Sequence, residues 1–348
     1  MFAGPPDHLP QSLAFLLLPQ FSLMAFASAV EPLRAANRLA GRPLYSWEVL
    51  GPDARPVVAS NGVAIPPDRA ITDVTRHPCI VVCGGYGMQA FDDPRTLAAL
   101  RRLARTGTIM GAISTASYVL ARAGLLAGRR CTIHWENLDS FRQDWPDLNV
   151  TDDLYEIDGP VFTCSGGTAA MDLMLHLIVA QHGHGLAAAV SDQFIHQAIR
   201  ESRQRQRMAT GRRLGTGNPT LMAIVDLMEQ NIEAPLGRHD IAERAGLSER
   251  QVERLFAREL AVSPRRYYFQ LRLERADALL RQTAMPILDV ALATGFVSAS
   301  HFAKSYRSHF GRTPRQRRAE ARLNLPAPPH IRPHEGSDPR IDRADESV

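Results

Sequence analysis

A pattern typical of a helix-turn-helix occurs twice in the last third of this 348-residue chain, and the duplication constrains the fold more than any other feature. The first copy spans residues 238–260. Its first helical pattern ends before Gly246, which suits a left-handed turn. Leu247 follows as an apolar plug, and Ser248 is a suitable N-cap for a second helix. This copy therefore predicts two short helices joined by a tight turn.

The second copy, at residues 286–311, repeats the same order of residues. Gly295 stands in the turn, Phe296 is the plug and Ser298 is the cap. A helical pattern at residues 264–282 joins the two copies. A rigid helix in this place can hold two recognition helices about one turn of DNA apart, ~34 Å. The pair of copies therefore predicts an all-α domain that binds double-stranded DNA.

The charge distribution agrees with a DNA-binding back half. Residues 1–200 carry 15 arginines and 18 acidic residues, whereas residues 220–320 carry 16 basic and 12 acidic residues. Residues 201–219 carry five arginines and one glutamate, and such a composition is typical of a linker that can also contact phosphates. We therefore predict a linker at 201–219, a DNA-binding domain at 220–320 and a disordered tail, rich in Pro, Asp and Arg, at 321–348.

Short apolar runs alternate with helical patterns in residues 12–200, after an N-terminal tail at residues 1–11. Apolar strands with helices between them indicate a parallel sheet that is covered on both faces. The predicted strands lie at 12–19, 46–51, 79–85, 108–114, 131–135, 155–157 and 161–163, and the predicted helices at 24–39, 94–105, 115–123, 166–181 and 187–200.

Several classes of protein are disfavoured. No apolar run approaches the roughly 18–20 residues of a membrane span, and the first residues do not resemble a secretion signal. We expect a cytoplasmic protein without membrane contact, cofactor or metal. Four scattered cysteines fit neither a disulfide scaffold nor a zinc site and are expected to be buried: Cys79, Cys83, Cys131 and Cys164.

Residues 221–318 resemble the DNA-binding domain of the AraC/XylS family of transcription regulators. The closing sequence GFVSASHFAKSYRSHFGRTPRQRR closely follows that family's signature. The resemblance implies a transcription regulator, with RNA polymerase as a partner and activation as the commoner outcome. It also places DNA contacts in the two recognition helices, at Arg250, Glu253, Arg254 and the outward-facing Arg258, and at Ala299, Ser300, His301 and Lys304.

Simpler roles stay open for some of these residues. Glu253 can instead pair with Arg250 or Arg254 within its own helix, and His301 can contact only phosphate. Ala299 offers no hydrogen bond, so the second helix either reads thymine methyl groups or serves mainly as an anchor. The first helix is rich in arginine, and we therefore expect it to carry more of the base specificity.

The front half resembles another family. CIVVCGGYG at residues 79–87, followed by TIMGAISTASYVLARAGLLAGRRCTIHWE at 108–136, is similar to the class I glutamine amidotransferase-like domains of the DJ-1/PfpI type. This resemblance implies an α/β, flavodoxin-like fold with a parallel sheet. Joined to an AraC-type domain, the front half resembles the GlxA-like subgroup of regulators. It is therefore expected to form a homodimer and to sense a small molecule.

Enzymes of the DJ-1/PfpI type carry a cysteine nucleophile at a strand-to-helix elbow, and here Ser114 stands in its place. A serine needs a general base within hydrogen-bond reach, and His134 is the candidate. Three interpretations stay open: a hydrolase- or amidase-like dyad, a ligand pocket, and purely structural roles. We favour the pocket, and hence a protein that is not an enzyme, because a hydroxyl and helix N-terminal amides suit a carboxylate.

The effector is expected to be amine- or amino-acid-derived. The subgroup that the chain resembles includes sensors of arginine and of quaternary amines such as glycine betaine and carnitine. Aromatic rings near the elbow can form a cage for a cationic nitrogen, although each ring can equally be a core residue. The candidate pocket residues are Phe21, Glu31, Tyr86, Ser114, Thr115, His134 and Trp135, with Tyr118 as a further candidate for the cage.

Overall fold

A computed structural model describes residues 4, 8–204, 206, 216–283 and 285–323 of the chain. The strands of the front domain are β1 (Gln11–Leu17), β2 (Tyr45–Gly51), β3 (Val57–Val58), β4 (Ala64–Ile65), β5 (Arg69–Ala70), β6 (Cys79–Cys83), β7 (Ile109–Ile113), β8 (Arg130–Cys131), β9 (Asn149–Val150), β10 (Tyr155–Asp158) and β11 (Val161–Cys164). Its helices are α1 (Leu23–Ala40), α2 (Pro94–Arg105), α3 (Ser117–Arg122), α4 (Leu138–Asp144), α5 (Ala169–His182) and α6 (His184–Gln193).

The main sheet of the front domain has seven strands in the order β10-β11-β7-β6-β1-β2-β5. All neighbouring strands pair in parallel except β10, which is antiparallel to β11. Along β1, Leu13, Phe15 and Leu17 belong to one buried cluster, and Ala14 and Leu16 belong to another. Both faces of the sheet are therefore covered, which confirms the predicted α/β class.

Two predicted elements of the front domain differ from the structure. The strand predicted at 131–135 ends at Cys131, because the N–H of Thr132 donates to the Thr163 side chain and not to a neighbouring strand. The following residues form a short 3-10 turn and then α4, which was not predicted. The helix predicted at 187–200 ends at Gln193, and Ile195 then takes a positive φ of 54° that ends the helical run.

The back domain consists of helices in the described residues, as predicted. Its helices are α7 (Pro219–Gln230), α8 (Arg238–Arg244), α9 (Glu249–Leu260), α10 (Pro264–Gln282), α11 (Ile287–Ala293), α12 (Ala299–Phe310) and α13 (Pro314–Leu323). Gly246 and Gly295 have φ values of 65° and 74°, and the side chains of Ser248 and Ser298 cap α9 and α12. The two predicted turns and caps are confirmed.

Two elements of secondary structure extend past the predicted domain bounds. The helix α13 continues to Leu323, so the first three residues of the predicted tail are helical, and the rest of that tail lies outside the described residues. The strand β1 already begins at Gln11. Most of the predicted linker, residue 205 and residues 207–215, likewise lies outside the described part of the chain.

The two helix-turn-helix units are held together through α10. The guanidinium of Arg272, on this helix, donates from Nε to the carbonyl of Thr294 at 2.8 Å and from Nη2 to that of Gly295 at 2.6 Å. It also lies over the ring of Phe296, 4.5 Å from the centroid. The turn at Gly295 packs so closely on the first unit that a Cβ there would lie 2.5 Å from Pro235 Cγ. The turn of the second unit is therefore clamped between α10 and the first unit.

The two turn glycines give a matched test of this contact. We expect Gly295→Ala to lose about 1–2 kcal/mol from the left-handed backbone and about 1–3 kcal/mol more from overpacking against Pro235. Gly246→Ala should lose only the first amount, because a Cβ at Gly246 meets no atom within 4 Å. Chemical denaturation of the full chain measures both losses. Equal losses would show that the close contact does not contribute to stability.

Candidate nucleic-acid interface and elbow site

The first recognition helix, α9, buries one apolar stripe and exposes a basic face. Val252, Leu255 and Phe256 are buried, whereas Arg250 and Arg254, one turn apart, are exposed. Within the described residues neither guanidinium has a hydrogen-bond or ion-pair partner. Two unpaired guanidinium groups on one face can each donate a bidentate pair of hydrogen bonds to guanine.

Glu253 and Arg258, on the same helix, both have protein partners. Glu253 Oε1 lies 3.9 Å from Nη1 of Arg238 on α8, so its partner is not one of the arginines of its own helix. Arg258 donates from Nε and Nη2 to Oε1 of Glu259, at 2.9 and 2.7 Å. Exposed ion pairs of this kind contribute at most about 1 kcal/mol, so DNA can compete for both side chains.

The second recognition helix, α12, exposes a less basic face. Its buried side chains are Phe302 and Tyr306. Ser300, His301 and Lys304 are exposed, and Ala299 is half-buried. The predicted contact residues of this helix therefore share one accessible surface, with Lys304 as their one permanently charged member.

The predicted elbow is present between β7 and α3. Ser114 has a φ of 65°, a left-handed conformation that costs a non-glycine residue about 1–2 kcal/mol and is often found at functional sites. Gly166 follows β11, and a Cβ on it would lie 2.7 Å from Ser114 Cβ. Thr115 Oγ1 donates to the carbonyl of Gly85, which follows β6, at 2.5 Å. The elbow therefore lies where three parallel strands end, a usual place for ligands in such sheets.

Two donors at the elbow are unused in the described part of the chain. The hydroxyl of Ser114 and the backbone N–H of Thr115 have no hydrogen-bond partner there, although the N–H of Ser114 donates to the carbonyl of Cys164. The side chains of Ser114 and Thr115 are both largely buried. An oxygen of a small ligand can accept from both donors.

His134 lies next to Ser114 through its backbone, not through its ring. Its N–H donates to the carbonyl of Ser114 at 3.3 Å, and its Nδ1 accepts from the N–H of Glu136 at 3.4 Å. No hydrogen bond joins the Ser114 hydroxyl to the imidazole within the described residues. Burial lowers the pKa of His134, and this outweighs the opposite effect of Glu136. The ring is therefore neutral near pH 7, but it does not form an assembled dyad with the serine.

The aromatic candidates fall into two groups. Tyr86 and Trp135 are 67% and 37% exposed. Phe21 and Tyr118 are fully buried: the first packs against Phe26, and the hydroxyl of the second is 2.8 Å from Ser140 Oγ. These two residues are core residues and present no surface to a ligand, because tertiary packing surrounds them completely.

Neither Glu31 nor any of the four cysteines supplies an unpaired charge or a nucleophile to the elbow. Glu31 accepts from Arg34 Nε at 2.8 Å on the half-exposed part of α1. All four cysteines are buried and free, as predicted, and burial raises the pKa of each, to about 12 for Cys164 beside the elbow. A thiol with so high a pKa is not a nucleophile near pH 7.

A buried carboxylate that was not predicted fastens the end of the front domain. Asp172 on α5 is fully buried; its Oδ1 accepts from His196 Nε2 at 2.9 Å, and its Oδ2 from Arg200 Nη2 at 2.6 Å. Beyond these residues, Gln206 Nε2 donates to the carbonyl of Ile133 at 2.9 Å. The segment that leaves the domain is therefore bound beside the elbow. The sequence signal that could have identified it is a single acidic residue in the otherwise apolar run AAMDLMLHLI.

Comparisons with known families agree with this division of the chain. The DJ-1/PfpI family matches residues 11–180, and a helix-turn-helix domain family matches residues 241–320. Among the described residues, no helix is long and apolar enough to cross a membrane, and no three His, Cys, Asp or Glu side chains are grouped so as to hold a metal ion. The chain thus joins a DJ-1/PfpI domain to a helix-turn-helix DNA-binding domain.

Full-length relatives identify the family. The HTH-type transcriptional regulator GbdR of Pseudomonas aeruginosa is 47% identical over 322 residues, which are 92% of this chain and 88% of that protein. The HTH-type transcriptional regulator GlxA of Rhizobium meliloti is 39% identical and covers 90% of this chain and 97% of its own. The chain belongs to these AraC-family transcription regulators, as its sequence predicted. The front domain also has an enzyme relative, the isonitrile hydratase of Pseudomonas putida, 31% identical over 47% of this chain and 69% of that protein.

The unpaired arginines of α9 give a test of DNA reading. An operator is first enriched from random DNA with the wild-type protein. We expect Arg254→Ala to reduce the preference for this operator over unrelated DNA by about 1–3 kcal/mol. Ser300→Ala on α12 should reduce this preference less. Fluorescence anisotropy with both DNAs measures the difference, and Arg55→Ala in the front domain is the control. A larger loss from Ser300→Ala would contradict the predicted dominance of the first helix.

Proposed function

We propose that this transcription regulator is controlled by a small amine- or amino-acid-derived effector, which binds at the elbow and favours activation. The DNA part is supported by the unpaired guanidinium groups of Arg250 and Arg254 on one exposed face. Glu253, Arg258 and the α12 residues Ala299, Ser300, His301 and Lys304 complete the proposed interface. The protein acts on promoter DNA with RNA polymerase as its partner, as a homodimer in the cytoplasm.

The effector part is supported by the unused donors at the elbow. The Ser114 hydroxyl and the Thr115 N–H suit a carboxylate, and the exposed rings of Tyr86 and Trp135 suit a cationic nitrogen. The half-buried imidazole of His134 lies beside these groups and is uncharged at pH 7. A zwitterion such as glycine betaine, carnitine or arginine has both of these charged groups.

The route from effector to DNA is proposed to run through the segment from His196 to Gln206. His196 is bound to Asp172, and Gln206 is bound to Ile133, which directly precedes the residue whose N–H donates to the Ser114 carbonyl. An effector that prefers one arrangement of this segment shifts the population of the DNA-binding arrangement by its difference in affinity.

Calorimetry tests the effector. We expect glycine betaine, carnitine, dimethylglycine or arginine to release heat on binding to the full-length protein, and Ser114→Ala to weaken that binding by about 1 kcal/mol or more, because a hydrogen bond to a carboxylate is lost. Ser308→Ala, an exposed serine on α12, is the matched control. Absence of heat with all four compounds would overturn the proposed ligand class.

A serine-dependent hydrolase or amidase is the second candidate function for the front domain. The strained elbow at Ser114 and the isonitrile hydratase relative favour it, whereas the lack of a hydrogen bond between Ser114 and His134 favours binding without turnover. We expect mass spectrometry to find each bound effector unchanged after prolonged incubation with wild-type protein. A product that forms with the wild type but not with Ser114→Ala would establish the enzyme instead.

A further inference from the structure

A groove of about 560 Å³ lies between the two recognition helices. Glu249, Val252 and Glu253 of α9 line one side, and His301 of α12 lines another. The first turns of α10 line the space between them. We call this space the inter-helix groove.

The inter-helix groove carries more positive than negative charge. Four arginines line it, against Glu249 and Glu253. Arg272 already donates to the carbonyls of the second turn, and Arg238 is loosely paired with Glu253. The remaining two arginines, Arg265 and Arg266, are thus the cations of the groove that can bind a partner.

Arg265 and Arg266 are exposed, and their guanidinium groups have no hydrogen-bond or ion-pair partner among the described residues; only the backbone N–H of Arg266 is bound, to the Ser263 side chain that caps the helix. They lie in the first turn of α10, directly after Pro264, and this turn contains no acidic residue. The positive end of a helix dipole disfavours cations there. Two adjacent arginines in this place therefore do not serve the stability of the helix, and an anionic partner accounts for them better.

The position of the groove defines that anion. When two recognition helices enter successive major grooves on one face of DNA, the stretch between them presents its minor groove and the flanking phosphates. The inter-helix groove lies at the same place between α9 and α12. We propose that Arg265 and Arg266, assisted by Arg238, form a phosphodiester-binding site for the DNA backbone between the two major-groove contacts. This proposal rests on the proposed DNA interface.

A site for phosphates predicts a specific pattern of affinities. Phosphate contacts position the protein and carry no direct sequence information, so their loss weakens binding to all DNA sequences alike. Each lost contact also makes the plot of log affinity against log salt shallower by about 0.9. A pair of arginines that read bases would instead change the preference for the operator.

The experiment compares wild type, Arg265→Gln, Arg266→Gln and the double variant on the enriched operator and on unrelated DNA, over a range of KCl concentrations. We expect the double variant to lose severalfold affinity on both DNAs by a similar factor, with a slope shallower by about 2. Arg95→Gln is the matched control: Arg95 likewise directly follows a proline at the start of a capped helix, α2, but lies in the front domain. Thermal melting verifies that every variant is folded.

The possible outcomes separate the two proposals. If wild-type protein enriches no operator, the proposed interface itself fails. If wild type binds and the double variant keeps its salt slope, the phosphodiester site is refuted, and a protein segment becomes the better occupant of the groove. A loss confined to the operator would also refute it, because the arginines would then read bases.

Discussion

The relative orientation of the two recognition helices depends on one half-buried guanidinium. Arg272 donates to two carbonyls directly after α11 and lies over the ring of Phe296, so the second turn is bound to the helix that joins both units. Tyr306 and Arg317 both donate to Asp277, on the same helix, which binds α12 and α13 to it as well. The two units are thereby held together in the absence of DNA, so binding at the proposed interface does not have to order them.

The back domain was predictable because its signals are local. Caps, left-handed glycines and helical spacing place Arg250 and Arg254 outward without knowledge of the tertiary fold. The strand expected to continue beyond Cys131 was wrong, because a side chain from a distant strand, that of Thr163, binds the backbone there. Local sequence does not contain such long-range contacts.

The elbow shows the same division between local and distant information. The elbow at Ser114 was predicted from the resemblance to DJ-1/PfpI enzymes, and the structure adds the strain that the backbone holds there. Whether an aromatic ring is accessible depends on tertiary packing instead. Tyr118 is enclosed by Phe141 and Trp145, whereas Tyr86 is exposed. A sequence identifies rings near a site, but burial decides which of them a ligand can reach.

The buried carboxylate of Asp172 has a consequence for the construction of hybrid regulators. Its hydrogen-bond partners, His196 and Arg200, lie beyond the last helix of the front domain. A hybrid joined directly after Gln193 would separate the carboxylate from these partners, and a buried charge without its partner typically costs about 3–5 kcal/mol. The unit to be transferred therefore includes Arg200 and Gln206, and a junction farther along the chain keeps the buried carboxylate with its partners.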